Sequence, residues 1–116
     1  MENWRINQVL GDLKTVPGIG PAAIKALAND PDDTTRITNT HQLIGQYLML
    51  KGPDSAEYTC STRELNQKFW YFLKAKGIVS HRSAIVLAIY LKVASFFPDI
   101  SDINEEDYGE ELEDEA

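Results

Sequence analysis

The segment Val16-Pro-Gly-Ile-Gly-Pro21 constrains this chain more than any other. Prolines and glycines this dense cannot sit inside a helix, yet apolar residues recur at helical spacing on both sides of them. Upstream, Ile6, Val9, Leu10 and Leu13 follow Asn3, an N-cap residue type, and predict an amphipathic helix that opens the chain. Downstream, Pro21 suits a helix's first turn, and Ile24, Leu27 and Ala28 supply a second apolar stripe. The pattern predicts two helices joined by a tight turn, a helix-hairpin-helix over residues 13–27. Gly18 and Gly20 are expected to take backbone angles and close approaches that a Cβ would obstruct. Ile19 is expected to plug the space between the helices, while Leu13, Val16, Ile24 and Leu27 knit their faces.

The remaining elements are helical by the same reasoning. Asn29-Asp-Pro-Asp-Asp33 is a run of turn formers that ends the second helix. Leu43, Ile44, Tyr47, Leu48 and Leu50 mark a third, capped near Thr38 to Thr40 and broken by Gly52-Pro53. A fourth begins at the capping box Ser61-Thr-Arg-Glu64 and runs through Leu65, Phe69, Phe72 and Leu73 to a glycine C-cap at Gly77. The last starts at a Ser80 N-cap and, past its first turn, is apolar nearly all round to Phe97. The fold class expected is all-α, one compact five-helix domain over residues 1–97. Such a helix is either the centre of the core or has one face in an oligomer interface; because a domain this small can hardly cover every side of it, a homodimer with Ile85, Ile89 and Tyr90 at the interface is expected. Gly45 lies inside a helix, where glycine costs about 1 kcal/mol relative to alanine. It is expected to mark a close backbone approach, across that dimer or at a crossing within the chain.

Charge is divided unevenly. The 116 residues carry a net −7, a balance that by itself argues against nucleic acid. Up to Phe97, however, eleven bases face eight acids, a net of +3, while residues 98–116 hold ten acids and no base. That stretch has too few apolar residues to offset the entropy of ordering, and residues 98–116 are expected to form a disordered acidic tail. Its acids lack the spacing of a calcium-binding loop. The longest apolar run, residues 84–91, is far short of the roughly 20 residues that span a bilayer, and the N-terminus has no signal-peptide pattern. An intracellular protein, nuclear or cytoplasmic, without membrane insertion is expected.

Catalytic and metal chemistry find little support. Cys60 stands alone, His41 and His81 are not tied to it by any signature, and no Cys/His spacing fits a metal. A non-enzymatic protein without cofactor or metal is the expectation. The hairpin supplies different chemistry, because the first turn of a helix carries unpaired N–H groups and the positive end of its dipole. Gly18, Ile19, Gly20 and Ala22 would present such donors to a phosphate, and Lys25, one turn on, would add charge. Phosphate contacts position a protein without reading bases, so binding of this kind is blind to sequence. The alternative is a hairpin that only packs two helices in a protein-interaction module, a reading the acids Asp30, Asp32 and Asp33 favour. Phe69, Trp70, Tyr71 and Phe72 fit helical packing better than a base-stacking platform, with Trp70 or Tyr71 partly exposed.

Three segments in order resemble the barrier-to-autointegration factor family: Gly18-Ile-Gly20 with Leu27 following, Leu43-Ile-Gly-Gln-Tyr-Leu-Met-Leu-Lys51, and Phe69-Trp-Tyr-Phe-Leu-Lys74 followed by Gly77-Ile-Val-Ser-His-Arg-Ser83. The likeness covers residues 16–97. It implies an all-helical homodimer of chromatin that bridges double-stranded DNA without sequence preference, one hairpin per subunit, and whose groove receives nuclear-envelope proteins. Carried over by position, Gly18, Ile19 and Gly20 would supply backbone contacts. His81 and Arg82 would stand where the family has basic residues, His81 in place of a usual lysine. The acidic tail and the lack of a basic N-terminal segment depart from the family.

Overall fold

The computed structural model describes residues 2–55 and 57–100, apart from the side chain of Glu2. Five helices are present: α1 (Glu2–Ile6), α2 (Pro21–Ala28), α3 (Thr40–Lys51), α4 (Thr62–Ala75) and α5 (Arg82–Phe96). Short 3-10 turns lie at Leu13–Thr15 and Pro98–Ile100, and there is no strand among the described residues. The chain is therefore all-α, as its periodicity predicts. The helix borders follow local chemistry. Asn39 caps α3 by accepting from the Gln42 N–H at 2.8 Å, and Gly52, at φ 70°, ends it. Ser61 caps α4 by accepting from the Glu64 N–H at 3.1 Å. The Glu64 carboxylate takes the Tyr58 hydroxyl. At the other end of α4, Gly77 adopts φ 95°, donates to Lys74 O, and leaves Ile78 N–H to reach Leu73 O, which is a Schellman stop.

Helix α5 is the axis of the core. Ile85, Val86, Ala88, Ile89 and Val93 are wholly buried, and α1, α3, α4 and the final 3-10 turn all pack on it. Around it sit Leu27, Leu43, Leu65 and Leu73, with Tyr47 set edge-on to Phe69 at 5.1 Å. The Tyr47 hydroxyl donates to Asn66 Oδ1 at 2.6 Å, so this buried polar tip is satisfied.

Four expectations are corrected here. The opening helix stops at Ile6 instead of continuing to Leu13, so the hairpin's first arm is only the turn Leu13–Thr15, capped by Asp12, whose carboxylate accepts from the Lys14 N–H. Residues 7–12 run as an irregular strap, which frees the carbonyls of Arg5 and Asn7 to accept from the buried Lys92 ammonium. Trp4 lies over the same ammonium at 4.9 Å and donates its indole N–H to Ala88 O at 2.7 Å. Burial pushes the Lys92 ammonium below its ordinary pKa, and only the two carbonyls and the ring offset that cost. Second, the face of α5 that was expected to stay open is covered within the chain: Ile85, Ile89 and Tyr90 are core residues, not an interface. Third, a Cβ at Gly45 would meet open space, so no close approach within the chain requires glycine there. Fourth, residues 98–100 belong to the domain. Ile100 is buried and its carbonyl accepts from the Thr62 hydroxyl. The rest of the expected tail, residues 101–116, lies outside the described residues.

If the strap is held as this geometry implies, Trp4→Ala removes both a ring from the α5 surface and the cover of a buried cation. The expected loss is about 2 kcal/mol of unfolding free energy in urea titrations, below the range for a fully buried tryptophan because Trp4 is half-buried. Amides of residues 3–10 should lose hydrogen-exchange protection before those of α4.

Candidate functional site

The hairpin is seated on the first turn of α5 by one backbone requirement. Gly18 has φ 92°, and a Cβ there would stand 3.0 Å from Ile85 Cγ1 and 3.2 Å from both Ala84 Cβ and the Ile85 nitrogen. Sign of φ and lack of space both demand glycine. Gly20 differs. Its φ of −112° is open to any residue and a Cβ would touch nothing, so the expectation that it shares Gly18's constraint is corrected. Ile19 is buried beneath the turn, as a plug should be, and its N–H is spent on Val16 O at 3.1 Å. Leu13, Val16 and Leu27 are likewise core residues.

Opposite the hairpin stands the turn from α4 to α5. Its last residue, His81, is the N-cap of α5 in place of the expected Ser80, and takes a left-handed conformation at φ 61°, ψ 20° with no side-chain cap bond. Such a conformation in a residue with a Cβ is held against strain by its surroundings. Arg82 supplies part of that hold. It is only 4% exposed, with its guanidinium 4.4 Å from the Trp70 ring and one arm donating to Ile78 O. Arg82, which the resemblance put at the anion site beside His81, is instead buried and ties the turn to α4 from below, a correction to its expected role as a direct anion contact.

Together the two turns enclose a cleft of about 160 Å³ lined by residues 18, 20–23 and 77–81. Gly18, Gly20, Ala22 and His81, all expected at the site, meet there; Ile19, Lys25 and Arg82 do not line it. Lys25 is exposed on α2. The start of α2 and the N-cap of α5 thus face the same cleft. In α2 the helical bonds begin with Ile24 N–H to Gly20 O at 3.1 Å, so the first-turn N–H groups of Ala22 and Ala23 have no acceptor within their helix. Residues 77–80 were missed as lining residues. The signal was available: a glycine C-cap at Gly77 three residues before the expected Ser80 N-cap leaves too little chain to separate the two ends.

The three acids that follow α2 are engaged elsewhere. Asp30 accepts from Lys76 Nζ at 2.6 Å and from the Thr35 hydroxyl at 2.6 Å, and these bonds, with the Asp32 N–H, hold its carboxyl far below the usual carboxylate range. Asp32 is lowered by the Thr34 hydroxyl and N–H, and Asp33 pairs with Arg36. Cys60 is buried and its Sγ lies 3.6 Å from Ser61 O. Among the described residues no cluster of His, Cys, Asp or Glu could hold a metal, and no helix is long and apolar enough to cross a membrane. Compared with known protein families, characterised proteins and solved structures, the chain matches none.

The two glycines should separate cleanly on mutation. Gly18→Ala is expected to cost about 2 kcal/mol or more, from a left-handed backbone together with crowding against Ile85, and Gly20→Ala within about 0.5 kcal/mol of neutral, both read by chemical denaturation. The Asp30 carboxylate, depressed by folding, stabilises fully above the unfolded value of about 4 and loses its contribution as pH falls through its folded value. Asp30→Asn should therefore flatten the acid limb of a stability-versus-pH curve while also lowering stability at neutral pH.

Proposed function

We propose that this chain is a non-enzymatic, sequence-independent double-stranded DNA-binding protein of the barrier-to-autointegration factor type, gripping backbone phosphate in the cleft between the hairpin and the α4–α5 turn. One observation carries the reading: two helix starts, held by left-handed Gly18 and His81, line a single cleft of about 160 Å³. Main-chain donors and helix dipoles at such a place favour an oxygen anion. The donors are the Ala22 and Ala23 amides, His81 is exposed at the rim, and Lys25 adds charge from the next turn of α2. Arg82 acts as a positioning residue for the turn. Nothing in this arrangement reads a base edge, so the same grip serves any sequence.

Bridging of two duplexes would need a second copy, and a chromatin role, nuclear or cytoplasmic, with nuclear-envelope or other protein partners belongs to the same proposal. Because Ile85, Ile89 and Tyr90 are spent in the core, a homodimer would have to use other surfaces, such as the exposed Met49 one turn beyond Gly45. A second reading, a protein-interaction module of this fold, is favoured by the half-exposed Phe96 and Phe97 at the end of α5.

Titration of the full-length chain against random-sequence duplex DNA tests the choice. Binding should weaken linearly in log–log form as salt rises, by about 0.9 log units per log unit of salt for each phosphate neutralised. Ala22→Glu, which sets a carboxylate in the cleft, should lower affinity at least about tenfold with helicity unchanged. No retention of duplex DNA at low salt, either by the full-length chain or by one whose acids at residues 101–116 are replaced by their amides, would reject the phosphate reading in favour of the protein-interaction one.

A further inference from the structure

The described chain ends where a basic surface begins. The carbonyl of Ile100 is held by the hydroxyl of Thr62, so the residues that follow leave beside the first turn of α4. Residues 63, 67, 71 and 74 lie four, four and three apart and share one face of that helix. They are Arg63, Gln67, Tyr71 and Lys74, of which Arg63, Tyr71 and Lys74 are exposed, Tyr71 to 63%. The single acid of α4, Glu64, is engaged by Tyr58 and lies 4.0 Å from Lys68, so it does not cancel the stripe. Lys74 holds its ammonium 5.6 Å from the Trp70 ring, one turn before Gly77 at the edge of the cleft. The stripe therefore connects the exit of the chain to the proposed phosphate site.

Sixteen residues follow Ile100, nine of them acidic and none basic. Extended, they span about 53 Å, against about 16 Å from Arg63 to Lys74 along the helix. We infer that residues 101–116 dock along the Arg63–Lys74 face of α4 and set carboxylates against the cleft, where they compete with DNA phosphate. Charge complementarity, the point of exit and the length all select this segment as the occupant. The competition rests on the phosphate reading above; the docking does not.

A nitroxide on Ala116→Cys in the full-length protein tests the docking, since the native Cys60 is buried. Amides of residues 63–74 and 77–81 should broaden at least about threefold more than those of the α3 N-terminus at low salt, with the effect fading near 0.5 M salt and in Lys74→Glu. Broadening confined to the groove of Leu48, Thr59 and Phe97 beside Ile100, or spread evenly over the surface, overturns the docking. In a second measurement, the acids of residues 101–116 are replaced by their amides. Duplex affinity should then rise about tenfold at low salt, with the gain shrinking as salt rises. Equal affinities at all salts overturn the competition. Broadening along α4 in a protein that binds no DNA in either form upholds the docking and rejects the phosphate reading instead.

Discussion

Helix α5 has almost no side to spare for water, and the arrangement of every other element answers to that. Its apolar residues continue around the axis, so α3 and α4, the hairpin and the final 3-10 turn must each take a share of its surface. Helix α1 packs on it too, and an irregular strap follows α1. The strap's own backbone groups then need partners, and Lys92 supplies them from within α5 by donating to the Arg5 and Asn7 carbonyls. A lysine in the wall of an apolar helix is thus the device that fastens non-helical backbone to it. Replacing it by an apolar residue would ease desolvation but leave two carbonyls to find water at the edge of the core.

How legible this was depends on the range of the interaction. The Ser61 cap, the Gly77 stop and the glycine-proline breaks are short-range chemistry, and residues within four positions of one another carry the whole signal. The strap is the opposite case. Ile6, Val9 and Leu10 keep a helical spacing, yet Ile6 and Leu10 are exposed, because the contacts that decide this segment join Trp4 to Ala88 and Lys92 to Asn7 across more than 80 residues. No local pattern encodes them. The same blindness misplaced the dimer surface: an all-round apolar helix reads equally as oligomeric or as central, and only the packing of α1, α3, α4 and the final 3-10 turn around it makes it central.

At the candidate site the sequence pattern identified the residues and misjudged what each contributes. Gly18 and Gly20 look alike in the string, but only Gly18 faces the α5 backbone; Gly20 has open space. His81 and Arg82 also look alike, two bases at a helix start. The left-handed turn at His81 separates them, leaving His81 at the cleft and sending the Arg82 guanidinium against Trp70. A reversal of this sort cannot be read from residue type, since it depends on one ψ/φ pair that the Trp70–Arg82 stack and the Schellman stop at Gly77 hold in place.

The cleft's lining carries a further consequence for how such a site is built. Apart from His81 and Ser80 its residues are Gly, Pro, Ala, Ile and Val, so its polar chemistry is main-chain chemistry. Amide donors cannot be deleted by ordinary substitution, and their aim is set by backbone angles at residues 18, 77 and 81. Function at this place would therefore be sensitive to packing that holds those angles, including the distant Trp70–Arg82 stack, and tolerant of most side-chain change at the rim. It would also be electrostatically modest, because partial charges on amides attract an anion less strongly than paired arginines do. A modest attraction is one that the nine acids among the sixteen residues after Ile100 have the charge to oppose.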